Sequence, residues 1–278
     1  MTARLRRGPN PSRRFTTRRG VRLCCAEYGG EGPPVVLLHG LAGNAREWDE
    51  TASWLVESHR VFALDARGHG ESDRRPPDVS RAAHVADVEQ WVNQLELGPV
   101  RLVGQSLGGH TAFLTAARHH DLVSALVIAE STPAAGPDFP EAVRSWLESW
   151  PVPFRSREAA IAFFGGDTLW ARGWMSGLES SPDGLRPRFD MDVMIASLDE
   201  VARTSYWEDW NNVRVPTLVV RAENGVPRDA VLRMIEAQPR AQLVEIAEAK
   251  HDVHLDKPIE WRRTVDAFLR AQTQVFLD

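Results

Sequence analysis

The chain has 278 residues, 43% of them apolar and 26% charged, which is enough to bury one sizeable α/β core with or without an insertion. Its formal charge of -5 gives no general reason to expect nucleic acid as a partner. No apolar run reaches the roughly 18 residues of a membrane span, so no membrane partner is expected either.

The one charge asymmetry is N-terminal. Eight arginines fall between Arg4 and Arg22, and the first acidic residue is Glu27. A twin-arginine export signal would need a long apolar run after "RRF", and "TTRRG" follows instead. Residues 1–12 are therefore expected as a disordered basic tail, leading into an exposed hairpin at 13–28 that turns at "RRG". Cys24 and Cys25 are neighbours on one strand of that hairpin. Their side chains should point to opposite faces and suit neither a metal site nor a structural crosslink. With no other cysteine in the chain, a reducing, cytoplasmic compartment is expected.

Beyond the hairpin, short β-branched runs alternate with helical patterns, the signature of a parallel sheet built from βαβ units. "PVVLLH" (34–39), "RVFALD" (60–65), "VRLVGQ" (100–105) and "ALVIAE" (125–130) read as buried strands, as do "TLVVRA" (217–222) and "AQLVEIA" (241–247). Helices are expected at 81–95, 107–119, 228–237 and 258–271. The rhythm breaks at 132–212, which has helical periodicity and no convincing strand. Asp190 followed by Val193, Met194, Leu198 and Val201 reads there as a capped amphipathic helix. This stretch holds six of the ten tryptophans, at 146, 150, 170, 174, 207 and 210. It is expected to be a helical cap over one end of a core formed by 13–131 and 213–278.

The strongest chemical signal is Gly104-Gln105-Ser106-Leu107-Gly108, a G-x-S-x-G between a strand and a helix. In that context Ser106 sits on a sharp, strained turn that pushes its hydroxyl into the crevice at the C-terminal edge of the sheet. Upstream, "LLHGLAG" resembles the loop that supplies half of an oxyanion hole. The expected donors are the backbone N–H groups of Leu41 and Leu107, aided by the positive end of the helix after Ser106. His39 itself is read as a structural hydrogen-bonding residue.

Taken in order, "HGLAG", "DARGHGES", "GQSLGG" and "KHDVHLDKP" resemble the α/β-hydrolase fold family over nearly the whole chain from about residue 20. The resemblance implies an α/β fold, mostly parallel with helices on both faces and a cap inserted after the sixth strand. It implies a serine nucleophile at Ser106 and structural roles for Asp65, Arg67 and His69. It also places the catalytic base at His251, although Lys250 stands where the family usually has Gly, and gives His254 a packing position.

The acid departs from the family pattern. After the seventh strand, Gly225 takes the position at which the family usually carries Asp, and a glycine cannot orient an imidazole. Glu223 and Asp229 are near but out of register. Some α/β-hydrolases carry the acid after the sixth strand, where Glu130 stands in "LVIAEST". A carboxylate at the mouth of an apolar strand is costly unless paired, and His251 is the obvious partner.

Ser106, His251 and Glu130 are thus the expected triad of a cofactor-independent serine hydrolase, with no metal site expected. The aromatic cap points to a small hydrophobic or aromatic ester or lactone as the small-molecule partner. A C–C bond hydrolase or an aminopeptidase would use the same triad, and a non-catalytic ligand-binding member of the fold is the reading from another class. Oligomeric state is not legible.

Overall fold

The computed structural model describes residues 10–274. Most of the expected basic tail (1–12) lies outside the described residues, and Ser12 already belongs to the first strand. Strands β1 (Ser12–Arg18) and β2 (Val21–Gly29) form the expected hairpin, but only β1 is exposed: β2 is paired on its other edge with the strand at Arg60–Asp65 and is largely buried. Both turn residues have positive φ, 48° at Arg19 and 82° at Gly20, as a two-residue turn matched to strand twist requires. The hairpin's arginines have internal partners: Arg13 pairs with Glu71 at 3.1 Å, Arg14 with Glu27 at 2.5 Å, and Arg22 with Asp73. Both cysteines are buried and free.

The parallel part comprises β3 (Pro34–Leu38), β4 (Arg60–Asp65), β5 (Val100–Gln105) and β6 (Val123–Ala129). A separate hairpin within the insertion supplies β7 (Leu178–Ser181) and β8 (Gly184–Pro187), so the seventh strand of the main sheet is β9 (Thr217–Ala222), followed by β10 (Ala241–Ile246). The strand order is β1-β2-β4-β3-β5-β6-β9-β10. All pairings from β4 to β10 are parallel.

Alternation along each strand divides the core between the two faces of the sheet. Val36, Leu38, Leu126 and Ile128 join one cluster, under α2 (Arg81–Gln94), α3 (Leu107–Arg118) and a later helix over Arg228–Ala237. Val35, Leu37, Val127 and Ala129 join the other, under α1 (Asp49–Leu55) and a C-terminal helix over Pro258–Gln274. With both faces covered, β3 to β6 and β9 are mostly apolar on both sides, which is why they read as continuous runs, whereas β10, at the sheet edge, is only half-buried rather than the buried strand expected.

The insertion contains α4 (Phe139–Glu148), α5 (Arg157–Phe163), α6 (Leu169–Ser176), α7 (Met191–Arg203) and α8 (Trp207–Asn211). Three readings of it need correction. It holds a short antiparallel hairpin, β7–β8, where no strand was expected. Asp190 stands at the N-terminus of α7, but its carboxylate pairs with Arg75 at 2.6 Å and makes no cap bond. Tyr206 and Trp210 belong to the main core, with Trp210 edge-on to Phe113 at 6.0 Å, and Arg233 lies over the Trp207 ring at 4.0 Å. The aromatic cluster of the insertion therefore rests on Trp146, Trp150, Trp170 and Trp174, whose rings lie 5.2–6.0 Å apart along the chain of contacts. Among the described residues, no helix is long and apolar enough to cross a membrane.

Candidate active site

Parallel pairing brings the C-terminal ends of β5, β6 and β9 side by side, and each end contributes a residue to the site. At the end of β5, Ser106 has φ 51° and ψ -120°, a strained conformation immediately before α3. Its two glycines are sterically required. A Cβ at Gly104 would sit 2.4 Å from Gly108 O, and one at Gly108 would sit 2.1 Å from Leu38 O. The start of α3 is therefore pressed against the end of β3 and the loop that follows it. That contact brings Leu41 and Leu107 to the same cleft as Ser106. Leu107 is the first residue of α3, so its N–H has no partner within the helix.

Neighbouring polar groups fix the loop after β3. His39 Nε2 accepts the Ala66 N–H at 3.0 Å, leaving Nδ1–H to donate to Gly40 O at 2.7 Å. Asp65 accepts from Ala45 N at 2.7 Å and Glu71 N at 2.9 Å. Arg67 forms a two-pronged, buried ion pair with Asp87 at 2.7 and 2.6 Å, and His69 Nδ1 donates to Arg67 O at 2.9 Å. These are the structural roles expected of His39, Asp65, Arg67 and His69.

At the end of β6, Glu130 is buried and held at φ 54°. Its Oε1 accepts from Ala222 N at 2.6 Å and its Oε2 from Val226 N at 2.9 Å, so the carboxylate lies inside the turn that follows β9. The same Oε2 is 3.2 Å from His251 Nδ1. A Cβ at Gly225 would sit 2.0 Å from that oxygen. Gly225 has no positive φ, so backbone conformation does not exclude a side chain there; the Glu130 carboxylate does. A side chain from residue 225 and the carboxylate from residue 130 would occupy one and the same place.

The alternatives lie outside this arrangement. Glu223 is exposed and accepts from Glu248 N at 2.7 Å, and Asp229 is exposed in the first turn of α9 (Arg228–Ala237). His254 is buried and stacked on Trp48, with ring centroids 4.2 Å apart and Nε2 3.5 Å from Glu47 Oε1. Burial pushes His254 down to about 4 and Glu47 up to about 8.

His251 differs from His254 in exposure as well as in partner. Half of its side-chain surface is open to the cleft. Enclosure by the surrounding atoms pulls its pKa down. The hydrogen bond with Glu130 and the charges of Asp252, Glu130 and Glu47 outweigh that pull, and the net direction is up from 6.5.

Ser106, Glu130 and His251 line one cleft of about 1260 Å³. Its outer wall comes from the insertion and includes Phe139, Val143, Trp146, Phe163, Phe164, Trp170 and Trp174. Trp150 is buried behind that wall. Gln105, inside the elbow motif, and Asp252, next to His251, also line the cleft, and that adjacency is the only sequence signal either carries. Gln105 Nε2 donates to His251 O at 3.0 Å.

Comparison with known proteins places this arrangement. The family model for the alpha/beta hydrolase fold matches residues 33–258. A 2-(acetamidomethylene)succinate hydrolase of Mesorhizobium japonicum is 26% identical over 251 residues, 87% of this chain and 90% of that one. An sn-1-specific diacylglycerol lipase of Mus musculus is 27% identical over 263 residues, 85% of this chain and 81% of that one. Among solved structures, that of an E-2-(acetamidomethylene)succinate hydrolase aligns with a TM-score of 0.85 at 24% identity, covering 94% of this chain and 99% of that one. An eight-stranded sheet in this order, a strained serine at the elbow after β5 and a family match across most of the chain lead to one assignment: this protein belongs to the α/β-hydrolase fold family.

Proposed function

We propose that the protein is a serine hydrolase of hydrophobic or aromatic esters or lactones, with Ser106 as nucleophile, His251 as base and Glu130 as the acid that orients it. The observation that carries this reading is the 3.2 Å contact of Glu130 with His251 Nδ1, in a cleft that also holds the strained Ser106. With Nδ1–H donated to Glu130, His251 Nε2 is left as the proton acceptor. It takes the Ser106 proton as Oγ attacks the carbonyl carbon, and Glu130 stabilises the imidazolium that forms. The Leu41 and Leu107 N–H groups receive the oxyanion, and the leaving alcohol departs with the proton from Nε2. Water activated by the same nitrogen then cleaves the acyl-enzyme.

The cleft wall argues for the substrate class. Lys250, on the core side, is the one Lys or Arg among the described residues that line it, and the cap wall is aromatic or aliphatic apart from two glycines, Thr132 and Thr168. A succinate derivative, as in the name of the Mesorhizobium relative, carries two carboxylates, and Lys250 is the single Lys or Arg among the described lining residues to meet them. The cleft also exceeds the roughly 300–1,000 Å³ of a typical small-molecule site, which leaves room for a bulky acyl or alcohol group rather than the small ester first expected. The lipase relative accords with such a substrate.

Turnover across a panel of esters, lactones, amides and diketones tests the reading: hydrophobic esters or lactones should lead, and preference for an amide or a diketone would overturn the substrate class. If residues 132–212 act as a substrate-selecting cap, Trp146→Ala should reorder acyl preference by tenfold or more. Trp150→Ala, behind the wall, should instead lower melting temperature by several degrees without reordering.

The raised pKa of His251 predicts a pH dependence. A protonated imidazole cannot accept the Ser106 proton, so activity should fall on the acid side through an inflection above 6.5. Glu130→Gln removes the hydrogen-bonded charge that raises it and should move that inflection down, which a pH series of phosphonate labelling rates would read.

A further inference from the structure

The cap docks on the core through α6, and it does so at two functional loops. Gly173 lies so close to α10 (Val253–Asp256) that an added Cβ would sit 2.7 Å from Leu255 Cδ1. At the end of α6, Ser176 Oγ donates to Asn44 Oδ1 at 3.0 Å, on the loop that follows His39. Two indoles of the same helix reach the histidine loop: Trp170 Nε1 donates to Asp252 Oδ2 at 2.7 Å, and Trp174 Nε1 to the same oxygen at 3.3 Å. The other oxygen of Asp252 accepts from Gln105 Nε2 at 3.4 Å, and Gln105 also donates to His251 O. One carboxylate therefore joins the cap, the loop carrying His251 and the residue before Ser106.

We propose that Asp252 is a positioning residue that locks His251 to the cap, so that the imidazole keeps its register with Ser106 only while Trp170 and Trp174 are docked. The proposal rests on the serine mechanism above. A carboxylate holding two indole N–H groups is a stronger tie than a neutral acceptor would make. Local helix structure does not require that side chain. Asp252 supports α10 through its backbone C=O, which accepts from Leu255 N and Asp256 N at 2.9 Å each, and makes no side-chain cap bond. Trp170 and Trp174 also line the cleft, so a bound acyl group packs on the rings whose N–H groups hold the loop. Ligands that fill this wall should therefore steady the base as they bind, and ligands too short to reach it should react slowly for their affinity.

Fluorophosphonate labelling of Ser106, read as a maximal rate and a half-saturating concentration, tests this without a known substrate. Asp252→Ala should lower the maximal rate at least tenfold and leave the half-saturating concentration within about twofold; Trp170→Phe, which also trims the cleft wall, should likewise lower the maximal rate at least tenfold. Asp252→Asn keeps an oxygen for both indoles and should stay within about fivefold of the parent rate. Parent-like rates in Asp252→Ala and Trp170→Phe overturn the lock, and so does a loss expressed wholly in the half-saturating concentration. Should Asp252→Ala unfold by circular dichroism, Trp170→Phe decides alone, since it removes one donor and keeps a ring. A parent protein that takes no label overturns the serine mechanism itself, an outcome distinct from failure of the lock.

Discussion

Ser106→Ala is expected to take no fluorophosphonate label, to lose turnover on the order of 10⁶-fold and to keep its fold by circular dichroism. The magnitude follows from serine-triad templates, in which removing the nucleophile leaves only binding and oxyanion stabilisation. The fold should survive because the elbow is shaped by Gly104 and Gly108 and by the close approach of α3 to β3, none of which involves the hydroxyl. Alanine also carries the same backbone strain at φ 51° as serine, so the turn gains no new reason to relax. Label that persists on another residue would show that the elbow is not the reactive site.

His251→Ala should cost about 10⁴–10⁶ in turnover, because the hydroxyl of Ser106 is a poor nucleophile without a base. His254→Ala should separate cleanly from it. That ring is buried against Trp48 and absent from the cleft, so its loss should lower stability by about 1–3 kcal/mol while turnover stays within roughly tenfold. Turnover and thermal melts on the two variants read the difference. An inactive His254 variant beside a fully active His251 variant would reverse the assignment.

Much of this architecture was legible because of how the sheet is buried. Arg60–Asp65, Val100–Gln105 and Thr217–Ala222 match the expected strands to the residue, since strands covered on both faces are apolar along most of their length. The cap hairpin was not legible: its four-residue strands are half-exposed, with no apolar alternation to find, although "SPDG" between them is turn chemistry. The short turn that follows the oxyanion loop was not expected either, and there a signal existed. Asn44 and Glu47 form a capping box on the short turn Ala45–Trp48, and Asn followed three residues later by Glu is its mark.

The site divides in the same way. Ser106 is announced by local backbone demands, and Glu130 by a vacancy at residue 225 that adjacent strand ends could fill. The tie from Asp252 to two cap tryptophans joins residues about eighty positions apart, and no spacing rule reports it.

Glu130 and Gly225 claim the same space, so they can be exchanged as a pair. Glu130→Gly suits the positive φ at residue 130 and vacates the volume that a side chain at residue 225 needs. Adding Gly225→Asp to Glu130→Gly should recover part of the lost activity, whereas Gly225→Asp with Glu130 retained forces two carboxylates together and should destabilise the fold.

The position of the acid at the end of β6 is read most directly from the maximal rate at which a fluorophosphonate labels Ser106 in Glu130→Gln. Glutamine preserves the shape but can present N–H rather than oxygen to His251 Nδ1, favouring the wrong tautomer. The equivalent change in the serine-protease template costs about 10⁴. A loss of about 10²–10⁴ with circular dichroism unchanged is the expected result. A labelling rate within a fewfold of the parent protein would contradict it, and would mean that His251 takes its orientation from a residue other than Glu130.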